Sequence, residues 1–477
     1  MTDLTATASQ ERIIEVDLMR GFALFGILVV NMQFFGLPIY TVISEMNPFN
    51  DPADLASRFF IGVFMEGKFI TLFSFLFGLG FWIFISRARS KGRTAGPLFL
   101  RRLLILALFG AAHAFLFWAG DILLFYSFLG LIMMLFLNRK DKTLRVWIVL
   151  LPVLHILFIA GIVALVQMAM NVPEASEGVK AGIEQTRTEM EAMAASAMEI
   201  YRTGSFTEMM EIRRQELAFA YQGFIMGGIG MFYLLAVFLA GMYAGRTGWF
   251  TNIGERLPAL RRRVPWLLVL GMACAIPGYL LMRGTDILTP GWHMPLHLLL
   301  FIVGSPALIS AYVILLLSAY HRFAGESVGS QENKSAEQIG TGNKSLAGEP
   351  NLADEPNLAG EPNLADEPNL AGEPNLAGEP YQPGNIRPNR FWASLRDTGR
   401  MSLTVYLTQT LVMTTVFYGY GLGLYGSVPV WMMLPLAVSL FAVQMVTAHW
   451  WMRHFTMGPL EWLWRAATYG YLPALRK

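Results

Sequence analysis

The chain has 477 residues, of which 54% are apolar and 15% charged, and its formal net charge is +2. Soluble domains carry about a quarter charged residues, so this composition excludes a soluble enzyme, and the near-neutral balance excludes a nucleic-acid binder. The single cysteine, Cys274, excludes a disulfide within the chain and any Cys-based zinc site.

The first 15 residues are polar and lack a basic n-region, so no cleaved leader is expected. A membrane-spanning helix needs about 20 mostly apolar residues. Such windows occur at approximately 18–37, 59–86, 98–118, 121–138, 144–170, 217–245, 264–282, 296–320, 401–421 and 430–451. The expected fold is an all-α polytopic membrane protein, a bundle of about ten transmembrane helices. Its membrane parts are 1–170 (five spans), 217–320 (three) and 391–477 (two, plus an interfacial helix).

Loop charge alternates. The loop after the second span carries Arg87, Arg89, Lys91, Arg93, Arg101 and Arg102, and the loops after the fourth and sixth are also Arg- and Lys-rich. The loop after the first span carries Glu45, Asp51 and Asp54, whereas 419–429 carries no charge. Cytoplasmic loops are enriched in Lys and Arg, so both termini are expected in the cytoplasm, and the lipid bilayer is the first partner. Two segments lie outside the membrane. Residues 171–216 form an outer, helical loop, read as a solvated hairpin or a partner surface. Residues 321–390 contain LAGEPN/LADEPN hexapeptide repeats between 346 and 380. A Pro every six residues, with so few apolar positions, predicts a disordered cytoplasmic linker.

Ionisable groups inside a membrane are costly and mark function unless they snorkel or pair. Asp17 and Arg20, three apart at the start of span one, can pair on one helix face. With Gly21, Arg101 and Arg102 they offer a cationic port for a phosphorylated donor, or simply a helix-start anchor. Arginine suits phosphate because its fork donates bidentately. Toward the outer side lie Asn31, Glu66, Lys68, His113 and Asp121. The tight turn between spans three and four brings His113 and Asp121 within reach, and a carboxylate there would hold the imidazole tautomer that a general base requires. The bland alternative is a structural histidine. Glu461 and Arg465, four apart, are expected to pair in an interfacial C-terminal helix, and Gln409, Gln444, His449 and His454 are read as structural. Asp286, His293 and His297 are interrupted by Pro290 and Pro295, and no metal site is expected. Gly227, Gly228 and Gly230 read as a helix-packing surface.

The run from Arg12 through Asp17, Arg20, Gly21 and Gly26 to Asn31 resembles the opening of the YeiB family of bacterial inner-membrane proteins. Gly67-Lys68-Phe69, Leu72 to Gly78, Arg101-Arg102-Leu103 with His113, Asp121-Ile122-Leu123 and Gly458-Pro459-Leu460-Glu461-Trp462 are similar to it as well. The Asp17-x-x-Arg20-Gly21 pattern ending in Asn31 also resembles the transmembrane acyltransferase superfamily, which includes heparan-α-glucosaminide N-acetyltransferase. The resemblance implies that acyl-CoA, with acetyl-CoA first, binds from the cytoplasm as donor at Asp17, Arg20 and Gly21. The acyl group then passes to an acceptor on the far face, a sugar or envelope component, near Asn31. Those relatives place a catalytic His soon after that Asn. Residues 32–57 contain none, so the base is expected from His113 with Asp121, and Asn31 and Lys68 are expected to stabilise the oxyanion beside Glu66. Two other functions stay open, a small-solute permease and a non-catalytic assembly protein. A homo-oligomer stays open too.

Overall fold

The computed structural model describes residues 13–43, 47–92, 94–226, 230–283, 285–286, 288–340 and 389–477. Arg12, Glu45, Arg93, Gly227, Gly228 and the hexapeptide repeats lie outside the described residues. The chain divides into two units, residues 1–318 with 390–477, and residues 319–389.

The described secondary structure is helical apart from one isolated bridge, Phe455 with Arg476. Helix α1 (Ile14–Gly36) opens the first unit. The short α2 (Ile39–Ile43) follows, then α3 (Pro52–Phe60), which Asp51 caps by accepting from the backbone N–H of Ala53 and Asp54. A π-helical turn at Ile61–Met65 and Gly67, at φ 78°, break the chain before α4 (Lys68–Ser90). The hairpin of α5 (Ala95–Leu116) and α6 (Leu123–Met134) precedes α7 (Asp141–Met170). Helices α8 (Pro173–Thr203) and α9 (Phe206–Met226) form a helical hairpin. Then come α10 (Met231–Arg246), α11 (Ile253–Arg261), α12 (Val264–Arg283) and α13 (His293–Gly340), whose residues from 319 onward belong to the second unit. The C-terminal part holds α14 (Arg390–Arg400), α15 (Ser402–Phe417), α16 (Val430–His454) and α17 (Pro459–Tyr469).

Among the described residues, seven helical segments are long and apolar enough to cross a membrane, and three shorter apolar helices, α6, α10 and α15, coincide with other expected spans. Helix α1 is the most interior of the seven, with 61% of its span window buried, against 22% for α7. Leu157, Trp266, Val269 and Val446 are exposed on α7, α12 and α16. Such apolar surface is stable only against lipid, and a helix satisfies its own backbone there. The fold is an all-α polytopic membrane protein.

Two boundaries differ from the sequence reading. Helix α9 runs through the expected loop-to-span boundary at 216/217, so the sixth apolar window is shared between α9 and α10. Residues 324–340, read as linker, continue α13. The first proline after Pro306 is Pro350, so no residue between them lacks the backbone N–H that the helix needs.

Hydrogen bonds gather the basic loops at one end of the first unit. Arg246 donates to the carbonyls of Leu137 and Arg139 and to Asp141, and Arg89 donates to Asn138. At the other end, the Gly426 N–H donates to the Gly36 carbonyl, the Gly419 N–H to that of Tyr201, and the Trp431 N–H to Asp54. These ends are called the basic face and the far face below.

Candidate functional site

The α5–α6 turn builds the far-face site. The N–H groups of Phe117 and Trp118 both donate to the His113 carbonyl at 3.0 Å, closing α5. Gly110, one turn before His113, has no room for a Cβ against the Leu124 backbone and the Asp121 carboxylate. The start of α6 can therefore lie directly on α5. Asp121 Oδ1 accepts from the Leu124 N–H at 2.7 Å, and Oδ2 is 2.7 Å from His113 Nδ1. His113 and Asp121 are 3% and 1% exposed.

Nδ1 donates to the carboxylate, so the Nε2 lone pair is left as an acceptor. It takes the hydroxyl of Thr410, 2.9 Å away on α15. The Tyr406 ring, one turn earlier on α15, lies 5.3 Å from the imidazole between centroids. Helix α15 is held in register by an amide clamp: Gln409 Nε2 donates to Gln444 Oε1, and Gln444 Nε2 donates to the Val405 carbonyl and the Thr408 hydroxyl.

Trp118 ties this hairpin to α1. It packs edge-on to His113 and 4.3 Å from the Phe35 ring, and its indole N–H donates to the Phe34 carbonyl. Asn31 lies one turn before Phe34 or Phe35 and is half-buried. It makes no hydrogen bond to the His113 pair. Arg20, Ile27, Asn31 and Phe34 are all half-buried, whereas Ala23, Leu24 and Leu28 are fully buried. These four fall within roughly 60° on a helix of 3.6 residues per turn. Ala23 and Leu24 close that face between Arg20 and Ile27, so the half-buried positions form two patches, Arg20 at the basic face and Ile27, Asn31 and Phe34 toward the far face.

Glu66 and Lys68 form a separate group. Lys68 is 4% exposed and donates to the Gly62 carbonyl at 3.0 Å, across the π-helical turn. Phe301 fills the space beside Gly67, and Glu66 is exposed. His297 is nearby and donates through Nδ1 to the Gly278 carbonyl. Asp286 is engaged by Arg187, Thr289 and the Leu288 N–H.

At the basic face, Arg20 Nη1 donates to Asp17 at 3.0 Å. Gly21 packs against the Leu395 carbonyl and Gly399 against the Asp17 carbonyl, so α1 and α14 touch backbone to backbone. That contact adds three groups the sequence reading missed: Arg396, Asp397 and Arg400. Asp397, 2% exposed, accepts from Arg396 Nε and Nη2 at 3.1 and 2.9 Å, faces Arg400 at 3.5 Å, and receives His449 Nδ1 at 2.9 Å. The Arg102 guanidinium lies 3.8 Å over the Trp464 ring, whose N–H donates to the Arg102 carbonyl. Arg101 is exposed.

The expected Glu461–Arg465 pair does not form. Glu461 instead accepts from the Leu403 and Thr404 N–H groups and the Thr404 hydroxyl, capping α15. Unsatisfied N–H groups at a helix start, fixed in place and aimed at the carboxylate, hold it better than a mobile surface arginine. Burial raises the Glu461 carboxyl above its ordinary range.

The α8–α9 hairpin also reaches the far face. Arg213, 1% exposed, donates to the Leu116 carbonyl at 2.6 Å at the end of α5. Glu216 accepts from the Tyr201 hydroxyl at 2.7 Å and the Ile39 N–H at 3.3 Å. Burial pushes the Glu216 carboxyl up to about 7. The hairpin read as solvated is thus anchored by three buried polar residues.

Residues 384–471 match the profile of a family described as protein of unknown function (DUF418). The matched stretch includes Asp397, Thr410, His449 and Glu461, but not His113 or Asp121. The chain is 30% identical to uncharacterized protein YxaH of Bacillus subtilis (strain 168), over 98% of this chain and 97% of that one. It is 26% identical to uncharacterized protein YeiB of Escherichia coli (strain K12), over 96% of each. It is 41% identical over 135 residues to an uncharacterized 39.9 kDa protein of Bacillus acidopullulyticus, 28% of this chain and 37% of the relative. No solved structure matches. The chain carries the DUF418 region and aligns with YxaH along nearly its whole length, and it therefore belongs to the YeiB-type family.

Proposed function

We propose that this membrane protein is an acyltransferase. It takes an acyl group, acetyl first, from acyl-CoA at the basic face and passes it to a hydroxyl or amine acceptor at the far face. The observation that carries this reading is the pairing of two features along α1. The aspartate-held imidazole of His113 lies at the far end, and the arginine cluster around Arg20 lies at the other.

In this reading the basic face is cytoplasmic and the membrane is the bacterial inner membrane. Arg20, held by Asp17, and Arg102, Arg396 and Arg400 take the phosphates of CoA, with Arg101 at the rim. Gly21 keeps α14 close enough for its arginines to join. His113 is the general base and Asp121 its orienting carboxylate. Asn31 serves the carbonyl oxygen. Lys68 and Glu66 belong to a separate polar group beside α13, so their part lies on the acceptor side. The acceptor is a sugar or another envelope component.

Purified protein or inverted vesicles given labelled acetyl-CoA should release CoA, and the label should appear on an acceptor or in water. No turnover at millimolar donor would sink the proposal. A permease has one observation in its favour: the interruption between α3 and α4, with a π-helical turn and a left-handed Gly67, beside buried Lys68. Broken helices are common at transporter binding sites. Counterflow of a small solute in proteoliposomes without CoA would favour that reading instead.

A further inference from the structure

His113 is engaged on both ring nitrogens. Asp121 Oδ2 stands 2.7 Å from Nδ1, and Thr410 Oγ1 stands 2.9 Å from Nε2. A carboxylate, an imidazole and a hydroxyl in that order are the parts of a nucleophilic triad: the acid holds the tautomer and the imidazole takes the hydroxyl proton. Thr410 is fully buried in the middle of α15, 297 positions from His113, and the Gln409–Gln444 clamp fixes its helix. The Tyr406 hydroxyl is buried on the same face of α15, its oxygen beside the Ile122 backbone, and its proton has no acceptor among the described residues. It is therefore a free side-chain donor for a developing oxyanion.

We infer that Thr410 is the nucleophile of a two-step transfer, with an acyl-threonine ester as intermediate. The inference rests on the acyltransferase reading and adds a covalent step to it. In the first step His113 Nε2 takes the Thr410 proton, and Oγ1 attacks the thioester carbonyl carbon. The carbonyl electrons move onto oxygen, where Tyr406 donates. The C–S bond then breaks, and the leaving thiolate takes the proton from Nε2, giving free CoA and the Thr410 ester. In the second step His113 takes the proton of the acceptor hydroxyl or amine, which attacks the ester carbonyl. The C–Oγ1 bond breaks and Thr410 recovers its proton from Nε2. Each proton returns to where it began, and no oxidant or metal is needed.

The test is a rapid-mixing experiment on full-length protein in detergent, with acetyl-CoA and no added acceptor. The wild-type protein should release about one CoA per chain in a burst. The peptide containing Thr410 should gain the mass of one acetyl group. Thr410→Ala should lose the burst and the adduct, and turnover should fall roughly 10²–10⁴-fold. Thr410→Ser should keep an adduct at position 410. The wild-type adduct can be mapped even if Thr410→Ala does not fold. Steady turnover with no burst and no adduct would overturn the inference and leave the acyltransferase reading standing, with direct transfer and Thr410 as a positioning residue. An adduct on another side chain would overturn it in the same way. No CoA release at all would remove both.

Discussion

Among the described residues, the first unit contains two histidine–aspartate pairs, and their surroundings differ. In the far-face pair, Asp121 receives one imidazole and one backbone N–H, and both side chains are almost completely enclosed. In the basic-face pair, Asp397 is shared among Arg396, Arg400 and His449, and the His449 side chain is 21% exposed. A carboxylate that serves one imidazole orients it. A carboxylate that serves two guanidinium groups as well mainly holds a cationic cluster together, because charge-assisted bonds to arginine are the stronger claim on its oxygens. Under the acyltransferase proposal, the same residue pair would serve as a base assembly at one end and as a phosphate-port strut at the other.

The largest expected difference is kinetic. His113→Ala and Asp121→Asn should each lower CoA release from acetyl-CoA by roughly 10²–10⁴-fold, the second because an amide no longer holds the required tautomer. His449→Ala should leave the turnover number within about threefold and act mainly through donor binding. Equal losses at both sites would break the comparison.

Next comes a pH effect confined to the far face. Glu216 is faced by Tyr201 from α8, Arg213 from α9, Tyr40 from α2, and Tyr418 and Tyr425 from the segment after α15. Its folded-state value of about 7 lies above the ordinary 4.5, so the folded form holds the proton more tightly than the unfolded one. Stability is therefore greatest below about pH 4.5, falls as pH rises to about 7, and is flat above, by on the order of 3 kcal/mol in all. Melting curves, or hydrogen exchange in α8 and α9, should show a tighter hairpin at low pH. Glu216→Gln should flatten the dependence, and an unchanged slope would refute the assignment.

Helix contacts come third. Gly110→Ala forces α6 off α5, and Gly399→Ala forces α14 off α1. Each should cost about 1–3 kcal/mol in stability by overpacking. The first should also separate Asp121 from His113 and reduce turnover, whereas the second should raise the donor KM. The smallest effect is expected from Arg102→Lys, which keeps the charge but loses the planar stack on Trp464. Its donor affinity should weaken by about 0.5–2 kcal/mol, measurable by isothermal titration with CoA.

Part of this arrangement was legible in the residues. Asp17 and Arg20 pair because three positions separate them on a helix. His113 meets Asp121 because only a short turn lies between them. Thr410 was not legible: threonine in a span is ordinary, and its distance in sequence from His113 carries no periodic signal. Asp397 was missed because α14 lies outside every apolar window, although buried Trp392, Ala393 and Leu395 directly precede its charged Arg396, Asp397 and Arg400. Glu461 was assigned the wrong partner because a four-residue spacing favours a local arginine, and only helix packing brings the open end of α15 to it.

Amino-acid order alone determined that this protein lives in a bilayer, where its apolar windows lie, and which loop ends are basic. Those properties follow from transfer energies and helical spacing, which are local. Tertiary packing decided which hydroxyl sits on the imidazole, which carboxylate holds the arginines and which helix start is capped from afar. Such contacts join positions hundreds of residues apart, and they depend on how closely two helix backbones can approach, which glycines at a few crossings control.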